Sequence, residues 1–213
     1  MNLNKINQLL YNFILIRYYM GIIKKISSNN NSLVCIWKIT ETYDELELLT
    51  DERSKIKSRL KQKEFLASRI LVKKICQLYN AKYLGIDKDK NGKPFLINSN
   101  YHISITHKYP YIGVIIDKKK CGIDIERIDK KIKKIQSKFL DKNEINEVND
   151  SEKKMTIFWS IKETGYKVNG ETIPLKKIQV KKENNNIYKC FLLDKSFEVN
   201  IVELDNHILS FTT

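Results

Sequence analysis

Three strand-like runs follow one another in the middle of the chain and constrain its fold most strongly. They are "YHISITH", "YIGVIID" and "CGIDIERI", at residues 101–107, 111–117 and 121–128. The short polar turn "DKKK" joins the last two runs. Apolar runs joined by short polar turns are typical of neighbouring antiparallel strands. The sequence therefore predicts an antiparallel meander of three strands.

Further strands and helices on both sides of these runs predict a mixed fold. Upstream, "LVCIWKI" has the pattern of a first strand, and "KQKEFLASRILVKKICQLY" repeats its apolar residues at helical spacing. Downstream, a charged helical segment and a helix over about 152–168 precede four runs that alternate apolar and polar residues. This order predicts an α+β fold of two similar halves, at residues 32–117 and 118–213.

The first 31 residues are predicted to be an extension outside both halves. Ile6, Phe13 and Tyr18 follow helical spacing, which indicates an amphipathic helix, and "SSNNNS" forms a linker. Translation from an over-early start codon is the alternative interpretation. Arg17 interrupts the apolar run, and the pattern is that of neither a signal peptide nor a membrane span.

The charge balance favours acidic partners. Thirty-nine Lys and Arg against 25 Asp and Glu give a formal net charge of +14. Nucleic acid, an anionic membrane, a polyphosphate or an acidic protein would all be attracted, so charge alone does not choose among them. Cys35, Cys76, Cys121 and Cys190 lie far apart without metal-binding spacing, which indicates a reduced, cytoplasmic protein.

Three acidic residues stand out in this basic chain. Asp124 and Glu126 lie two apart on a strand, so both side chains point to one face. On the helix "FWSIKETGYK", Glu163 occupies a stripe that the apolar pattern marks as buried, where an unpaired carboxylate is costly. Three carboxylates without a nearby histidine would form an all-oxygen site suited to Mg²⁺.

An alternative interpretation needs no metal. The same carboxylates could form buried salt bridges with Arg127, Lys162 or Lys167. Lys167 follows Glu163 by four residues, which is an ordinary ion-pair spacing on a helix. The residue types alone leave both interpretations open.

The order and spacing of these motifs resemble a known enzyme family. "GID" with an acidic residue two positions on, then "WSIKETGYK" about forty residues later, is similar to the signature of the 4′-phosphopantetheinyl transferase superfamily. Residues 121–124 and 159–167 match at nearly every specified position. "GKPFL", "SITH" and "FLASR" resemble further family motifs. The likeness covers roughly residues 33–180 and points to the larger, pseudo-dimeric members such as the surfactin-synthetase activator.

Four positions depart from the family pattern. Thr106 stands where a serine usually precedes the histidine, and Lys108 follows that histidine where a small residue is common. Thr164 replaces Ala or Ser, and Cys121 takes an aliphatic position. These departures bear on substrate contacts more than on the metal ligands.

The resemblance implies a transfer reaction. Members move the phosphopantetheine arm of coenzyme A onto a serine of an apo carrier protein and release 3′,5′-bisphosphoadenosine. Asp124, Glu126 and Glu163 would hold Mg²⁺, with Mn²⁺ possible, and Glu163 and Lys167 would be catalytic. Glu144 is the candidate general base. A metal-bound water is the alternative base, and Glu144 would then be an ordinary surface residue.

The resemblance also implies contacts with coenzyme A. The expected residues are Thr106, His107, Lys93, Lys162, Lys167, Lys63 and Arg69. Solvated lysines and a structural histidine are the alternatives. The carrier would be an acidic protein of fatty-acid, polyketide or peptide synthesis, which a basic enzyme attracts. Two halves in one chain would make the protein a monomer.

Two other function classes compete with this interpretation. A basic nucleic-acid-binding module would need exposed aromatic residues along a basic stripe, whereas most aromatics here occupy core-like positions. A catalytically inactive homologue could bind carrier proteins as a scaffold. The intact Asp124, Glu163 and Lys167 favour the enzyme.

Overall fold

The computed structural model describes residues 21–27 and 32–212. The strands are β1 (Ile22–Ser27), β2 (Leu33–Lys38), β3 (Ile86–Lys88), β4 (Pro94–Leu96), β5 (His102–Lys108), β6 (Tyr111–Asp117), β7 (Ile123–Arg127), β8 (Gln179–Lys182), β9 (Ile187–Leu192), β10 (Lys195–Leu204) and β11 (His207–Thr212). The α-helices are α1 (Tyr43–Glu47), α2 (Arg59–Leu78), α3 (Gln136–Phe139), α4 (Lys142–Val148) and α5 (Glu152–Asn169). The mixed α/β character expected from the sequence is confirmed.

The first sheet has four antiparallel strands in the order β1-β2-β6-β5. Helix α2 packs on it through an apolar stripe that includes Leu66, Ile70 and Ile75, all almost completely buried. Burial of this stripe stabilises the helix, since helices in proteins gain most of their stability from tertiary packing. The hairpin of β3 and β4 lies beside β5.

The second sheet has five antiparallel strands in the order β7-β11-β10-β9-β8. Helix α5 packs on it, and Met155, Phe158 and Ile161 of the helix join its hydrophobic core. The expected helix over about 152–168 and the four expected strands of the C-terminal tail are confirmed.

The two sheets meet through a third apolar cluster. Val34 and Ile115 come from the first sheet, and Ile123, Ile125 and Phe211 come from the second. These side chains are buried, so strand β7 has its apolar face against the first sheet. Its acidic residues consequently lie on the side of helix α5.

The predicted three-strand meander is wrong in its third strand. Strands β5 and β6 pair as expected, but β7 pairs with β11 in the second sheet. The free edge of β7 instead contacts side chains of β5: the amide of Ile125 donates to Thr106 Oγ1 at 3.0 Å, and that of Ile123 to Ser104 Oγ at 3.3 Å. The turn after β6 therefore carries the chain from one sheet to the next.

The N-terminal part differs from expectation where it is described. Strand β1 lies inside the segment expected to be an extension, and it pairs with β2. The amphipathic helix expected over Ile6–Tyr18 lies outside the described residues. No helix in the described ranges is long and apolar enough to cross a membrane. The limits of the two halves stay a prediction.

Candidate metal and phosphate site

Asp124 lies on β7 facing helix α5 and is 5% exposed. Its Oδ1 accepts hydrogen bonds from Lys167 Nζ at 2.8 Å and Thr106 Oγ1 at 3.4 Å. No described residue donates a hydrogen bond to its buried Oδ2. A buried carboxylate oxygen without a donor is costly, and it marks a place where a cation would be favourable.

Glu126 lies two residues further along the same face of β7. Its Oε2 lies 2.6 Å from Lys108 Nζ, and its Oε1 accepts a hydrogen bond from Trp159 Nε1 at 3.2 Å. Trp159 belongs to helix α5, while Lys108 ends β5. Strand β7 is thus joined to the helix on one side and to the first sheet on the other.

Glu163 projects from α5 toward these two carboxylates. Burial, together with the negative charges of Asp124 and Glu126, raises its pKa to about 7, and Lys167 only partly offsets this effect. Among the described residues, two of the three charged groups that shift this pKa are therefore carboxylates, Asp124 and Glu126, and the third is Lys167. A cluster of like charges on carboxyl groups is a frequent feature of functional sites.

Small residues fix the distance between helix and strand. A Cβ on Gly122 would lie 2.4 Å from the backbone oxygen of Thr164, so only glycine allows this approach. Buried hydroxyl groups complete the contact: Ser210 Oγ lies 2.8 Å from Ser160 Oγ and 2.6 Å from Thr164 Oγ1. Gly122 of "GID" and Ser160 of "WSIKE" thus allow β7 and α5 to pack closely, and this packing positions the acidic residues.

The donor set suits a hard divalent cation, yet it is not assembled as a metal site. Within the described residues, no three Asp, Glu, His or Cys side chains are arranged to hold a metal ion. Two of the carboxylates instead pair with Lys108 and Lys167. The unpartnered Oδ2 of Asp124 and the raised pKa of Glu163 nevertheless fit Mg²⁺ or Mn²⁺, which prefer carboxylate oxygens.

A basic groove leads away from this site. Two adjoining clefts of about 340 Å³ and 190 Å³ share Gly92, Pro94 and Ile105. The basic residues that line them are Lys61, Arg69, Lys88, Lys93, His107 and Lys167. Lys167 connects the groove to the carboxylates, which do not themselves line either cleft. The basic lining suits an elongated anion that lies along the groove as far as Lys167.

The C-terminal part of the chain is similar to a known protein family. Residues 120–212 match the family model of the 4′-phosphopantetheinyl transferase superfamily. The match contains β7, helix α5 and the whole second sheet, including Asp124, Glu126, Glu163 and Lys167. No curated protein matches the chain.

The residues that match this family model account for one side of the site. Three residues of the groove lie outside the matched part: His107 on the first sheet, Arg69 on helix α2 and Lys93 in the β3–β4 turn. Lys93 is partly buried beside helix α5, and burial lowers its pKa. Its Nζ lies 3.5 Å from the backbone oxygen of Val168. The smaller cleft of the groove thus lies between the matched residues and the preceding part of the chain, whereas the larger cleft is lined by the preceding part alone.

Glu64 is a residue of this groove that the sequence interpretation missed. It is 3% exposed, and its Oε2 lies 2.6 Å from Lys61 Nζ and 3.3 Å from His107 Nδ1. Its Oε1 accepts a hydrogen bond from the amide of Tyr109 at 3.2 Å. Burial alone would raise its pKa, but the hydrogen bonds from His107 and Lys61 lower it to about 2. The sequence did contain a signal for it: Glu64 lies on the same helical stripe as Leu71 and Ile75, which are buried.

Replacing Glu64 by glutamine is expected to lower stability in a pH-dependent way. The pKa of Glu64 is lowered on folding, so its contribution is complete above about pH 4.5 and disappears as the pH falls toward 2. We expect a loss of about 2 kcal/mol in the free energy of unfolding at pH 7. Denaturant titrations at pH 7 and pH 3 measure this loss.

The exposed Glu198→Gln exchange is the matched control, and it should change the free energy of unfolding little. An equal loss for Glu64→Gln at both pH values would contradict the ion-pair interpretation.

Two residues predicted for the site lie elsewhere. Lys162 is completely buried, and its Nζ donates to Glu144 Oε2 at 2.7 Å and to the backbone oxygen of Ile178. Glu144 is also buried, and it accepts further hydrogen bonds from the amides of Asp141 and Val180. The prediction of Glu144 as general base and Lys162 as phosphate ligand is therefore not supported. Both residues hold helices α4 and α5 to β8.

Two other residues that were predicted to contact coenzyme A, Thr106 and Lys63, do not line the groove. Thr106 belongs to β5 and is 4% exposed; its hydroxyl contacts Asp124 and Ile125 of β7, and it does not line the groove. Lys63 lies over the ring of Tyr109, with its Nζ 5.6 Å from the ring centroid, and does not line the two clefts. Of the expected contacts, His107, Lys93, Lys167 and Arg69 do line the groove.

Proposed function

We propose that this chain transfers the 4′-phosphopantetheine arm of coenzyme A to a serine of an apo carrier protein, with release of 3′,5′-bisphosphoadenosine. One observation carries the proposal: Lys167 connects a basic groove to the carboxylates of β7 and α5, and these residues lie inside the part of the chain that matches the superfamily. The superfamily match supports phosphopantetheine transfer in general. The groove supports a long ligand with several phosphates.

Asp124, Glu126 and Glu163 would hold Mg²⁺ or Mn²⁺. A bound cation would stabilise negative charge on the transferring phosphoryl group and on the leaving phosphate. Lys167 Nζ donates to Asp124 Oδ1, and Lys167 also lines the groove. Its charge would neutralise the phosphate that comes closest to the carboxylates.

The other end of the groove would bind the nucleotide part of coenzyme A. His107 and Lys61 are about half exposed there, while Glu64 fixes one donor of each. Both residues line the groove, as Arg69 does. Phosphate groups are well recognised by such converging donors. Lys93 lies between this end and the carboxylates.

We further propose that the chain is of the larger, pseudo-dimeric type and acts as a monomer in the cytoplasm. Each sheet carries one long helix, α2 or α5, and the groove runs between the two units. All four cysteines are buried and free, as suits a reducing compartment. The net charge of +14 would speed the encounter with an acidic carrier protein.

The proposal is tested by product formation. Incubation with coenzyme A, Mg²⁺ and apo carrier proteins from fatty-acid, polyketide and peptide synthesis is expected to release 3′,5′-bisphosphoadenosine, which chromatography resolves from coenzyme A. EDTA should stop the release. Lys167→Ala should lower its rate by about 100-fold or more, since the lost charge faces the reacting phosphates. Glu198→Gln should leave the rate unchanged.

The two competing functions predict different results when the same purified protein is tested for product release and for binding. A nucleic-acid-binding module would release no product and would bind DNA with a steep dependence on salt. An inactive scaffold would bind carrier protein, and both the wild type and Asp124→Ala would release no product. Either pattern would overturn the proposal.

A further inference from the structure

Lys108 is a departure from the family pattern that lies directly at the proposed cation site. Its Nζ is 2.6 Å from Glu126 Oε2, and its side chain is 46% exposed against 23% for Glu126. Since Trp159 Nε1 donates to the other oxygen, both oxygens of Glu126 have partners. A cation that uses Glu126 must therefore compete with these partners, above all with the ammonium group of Lys108.

The two remaining carboxylates differ from Glu126. Asp124 Oδ2 has no donor among the described residues, and Glu163 lies among like charges. Lys167 is more buried than Lys108 and is fixed by two acceptors, Asp124 Oδ1 and the backbone oxygen of Ile123. Lys108 makes a single ion pair at the surface. Of the two lysines, Lys108 is the one that can move away at little cost.

The ion pair of Lys108 with Glu126 bears on how many carboxylates a cation could use. With Lys108 on Glu126, two of the possible ligands remain, and a cation gains less from two carboxylates than from three. A cation must displace the ammonium group to recruit Glu126. A diphosphate bound beside the cation would offer that group new acceptors, because phosphate oxygens are strong partners for lysine.

We propose that Lys108 competes with the divalent cation for Glu126, so that the cation and a diphosphate ligand bind cooperatively. This inference rests on the proposed function, since the diphosphate would be that of coenzyme A. Coupling between two ligands is reciprocal: if coenzyme A strengthens cation binding, the cation strengthens coenzyme A binding by the same factor. The free enzyme would thus hold the cation weakly, and the complex would hold it tightly.

Direct binding of Mn²⁺ tests the competition without any measurement of activity. The free aqua ion is quantified by electron paramagnetic resonance in titrations of wild type and Lys108→Ala, with and without coenzyme A. Without coenzyme A, Lys108→Ala is expected to bind Mn²⁺ about 5-fold more tightly, because an ion pair of this kind is lost when the cation binds. With coenzyme A, the difference should shrink to less than about 2-fold, since the diphosphate has already displaced Lys108.

Two further variants separate the local effect from a change in overall charge. Lys182→Ala removes an equal charge from an exposed position on β8 and should leave Mn²⁺ affinity at the wild-type value. Lys108→Arg keeps an ion pair with Glu126 and should bind Mn²⁺ like the wild type. A tighter Lys182→Ala would overturn the inference in favour of long-range charge.

The outcomes distinguish this inference from the proposed function. Equal Mn²⁺ affinity of wild type and Lys108→Ala without coenzyme A, with Glu163→Gln weaker than both, would overturn the competition and leave the cation site standing. No Mn²⁺ binding by any variant, even with coenzyme A present, would overturn both.

Discussion

Glu163→Gln is expected to lower the rate of phosphopantetheine transfer by about 100-fold or more. The exchange keeps the size of the side chain and removes the carboxylate that α5 directs at Asp124 and Glu126. Mg²⁺ would lose one of three ligands. Product release under saturating coenzyme A measures the rate, and Glu198→Gln controls for the same chemical change at an exposed position.

The same exchange is expected to stabilise the protein when no metal is present. The pKa of Glu163 is raised to about 7 on folding, so its contribution to stability is complete below about pH 4.5 and is lost as the pH rises through 7. At pH 8, the wild type carries an ionised carboxylate among like charges, whereas the variant does not. We expect a gain on the order of 1 kcal/mol for the variant at pH 8, after allowance for solvent screening.

Thermal unfolding in EDTA at pH 5 and pH 8 measures this gain, which should be near zero at pH 5. Mg²⁺ should then raise the melting temperature of the wild type more than that of the variant. A pH-independent difference, or an equal effect of Mg²⁺ on both proteins, would contradict the placement of Glu163 at a cation site.

Breaking the buried ion pair of Glu144 and Lys162 is expected to give the largest loss of stability. Lys162 is completely buried, and burial lowers its pKa even though Glu144 favours its charged form. Lys162→Met leaves the Glu144 carboxylate without its ammonium partner. Removal of one partner from a buried pair costs about 3–5 kcal/mol. Denaturant unfolding measures the loss.

A double exchange keeps this prediction testable if Lys162→Met does not fold. In Glu144→Gln/Lys162→Met both charges are absent, so the double variant should be more stable than the sum of the single effects predicts. Glu144→Gln alone should also unfold more easily. If Glu144→Gln instead kept the wild-type stability and lost transfer activity by orders of magnitude, Glu144 would be a base after all, and its structural role would be wrong.

Local sequence patterns were enough to place Asp124, Glu126 and Glu163 on their strand and helix faces, but they did not locate Glu144, Lys162 or Lys63. Asp124 and Glu126 follow from the period of two on a strand, and Glu163 from the period of the helix, so local geometry alone places them. Lysines gave no such signal. Lys162 and Lys167 occur on the same helix five residues apart, yet Lys162 is buried in the core and Lys167 lines the groove. Only the packing of α5 against β8 decides between them.

The limits of sequence interpretation in the fold have similar causes. Strand β7 has the pattern of a meander strand, but its partner is β11, more than eighty residues later. The pairing of β7 with β11 depends on which apolar faces of the two sheets pack together, and a local sequence pattern does not contain this information. Glu64 was missed because two of its three partners, His107 and the amide of Tyr109, lie outside its own helix. A buried glutamate is visible in the sequence only once the buried face of its helix is known.

The mass of a carrier protein after reaction tests the central claim most directly. An apo carrier protein is incubated with coenzyme A, Mg²⁺ and the purified enzyme, and its intact mass is measured. The account predicts a gain equal to one phosphopantetheine arm, absent with EDTA and strongly reduced with Glu163→Gln. An unchanged mass for carriers of all three biosynthetic classes, with an enzyme that is folded and binds coenzyme A, would contradict it.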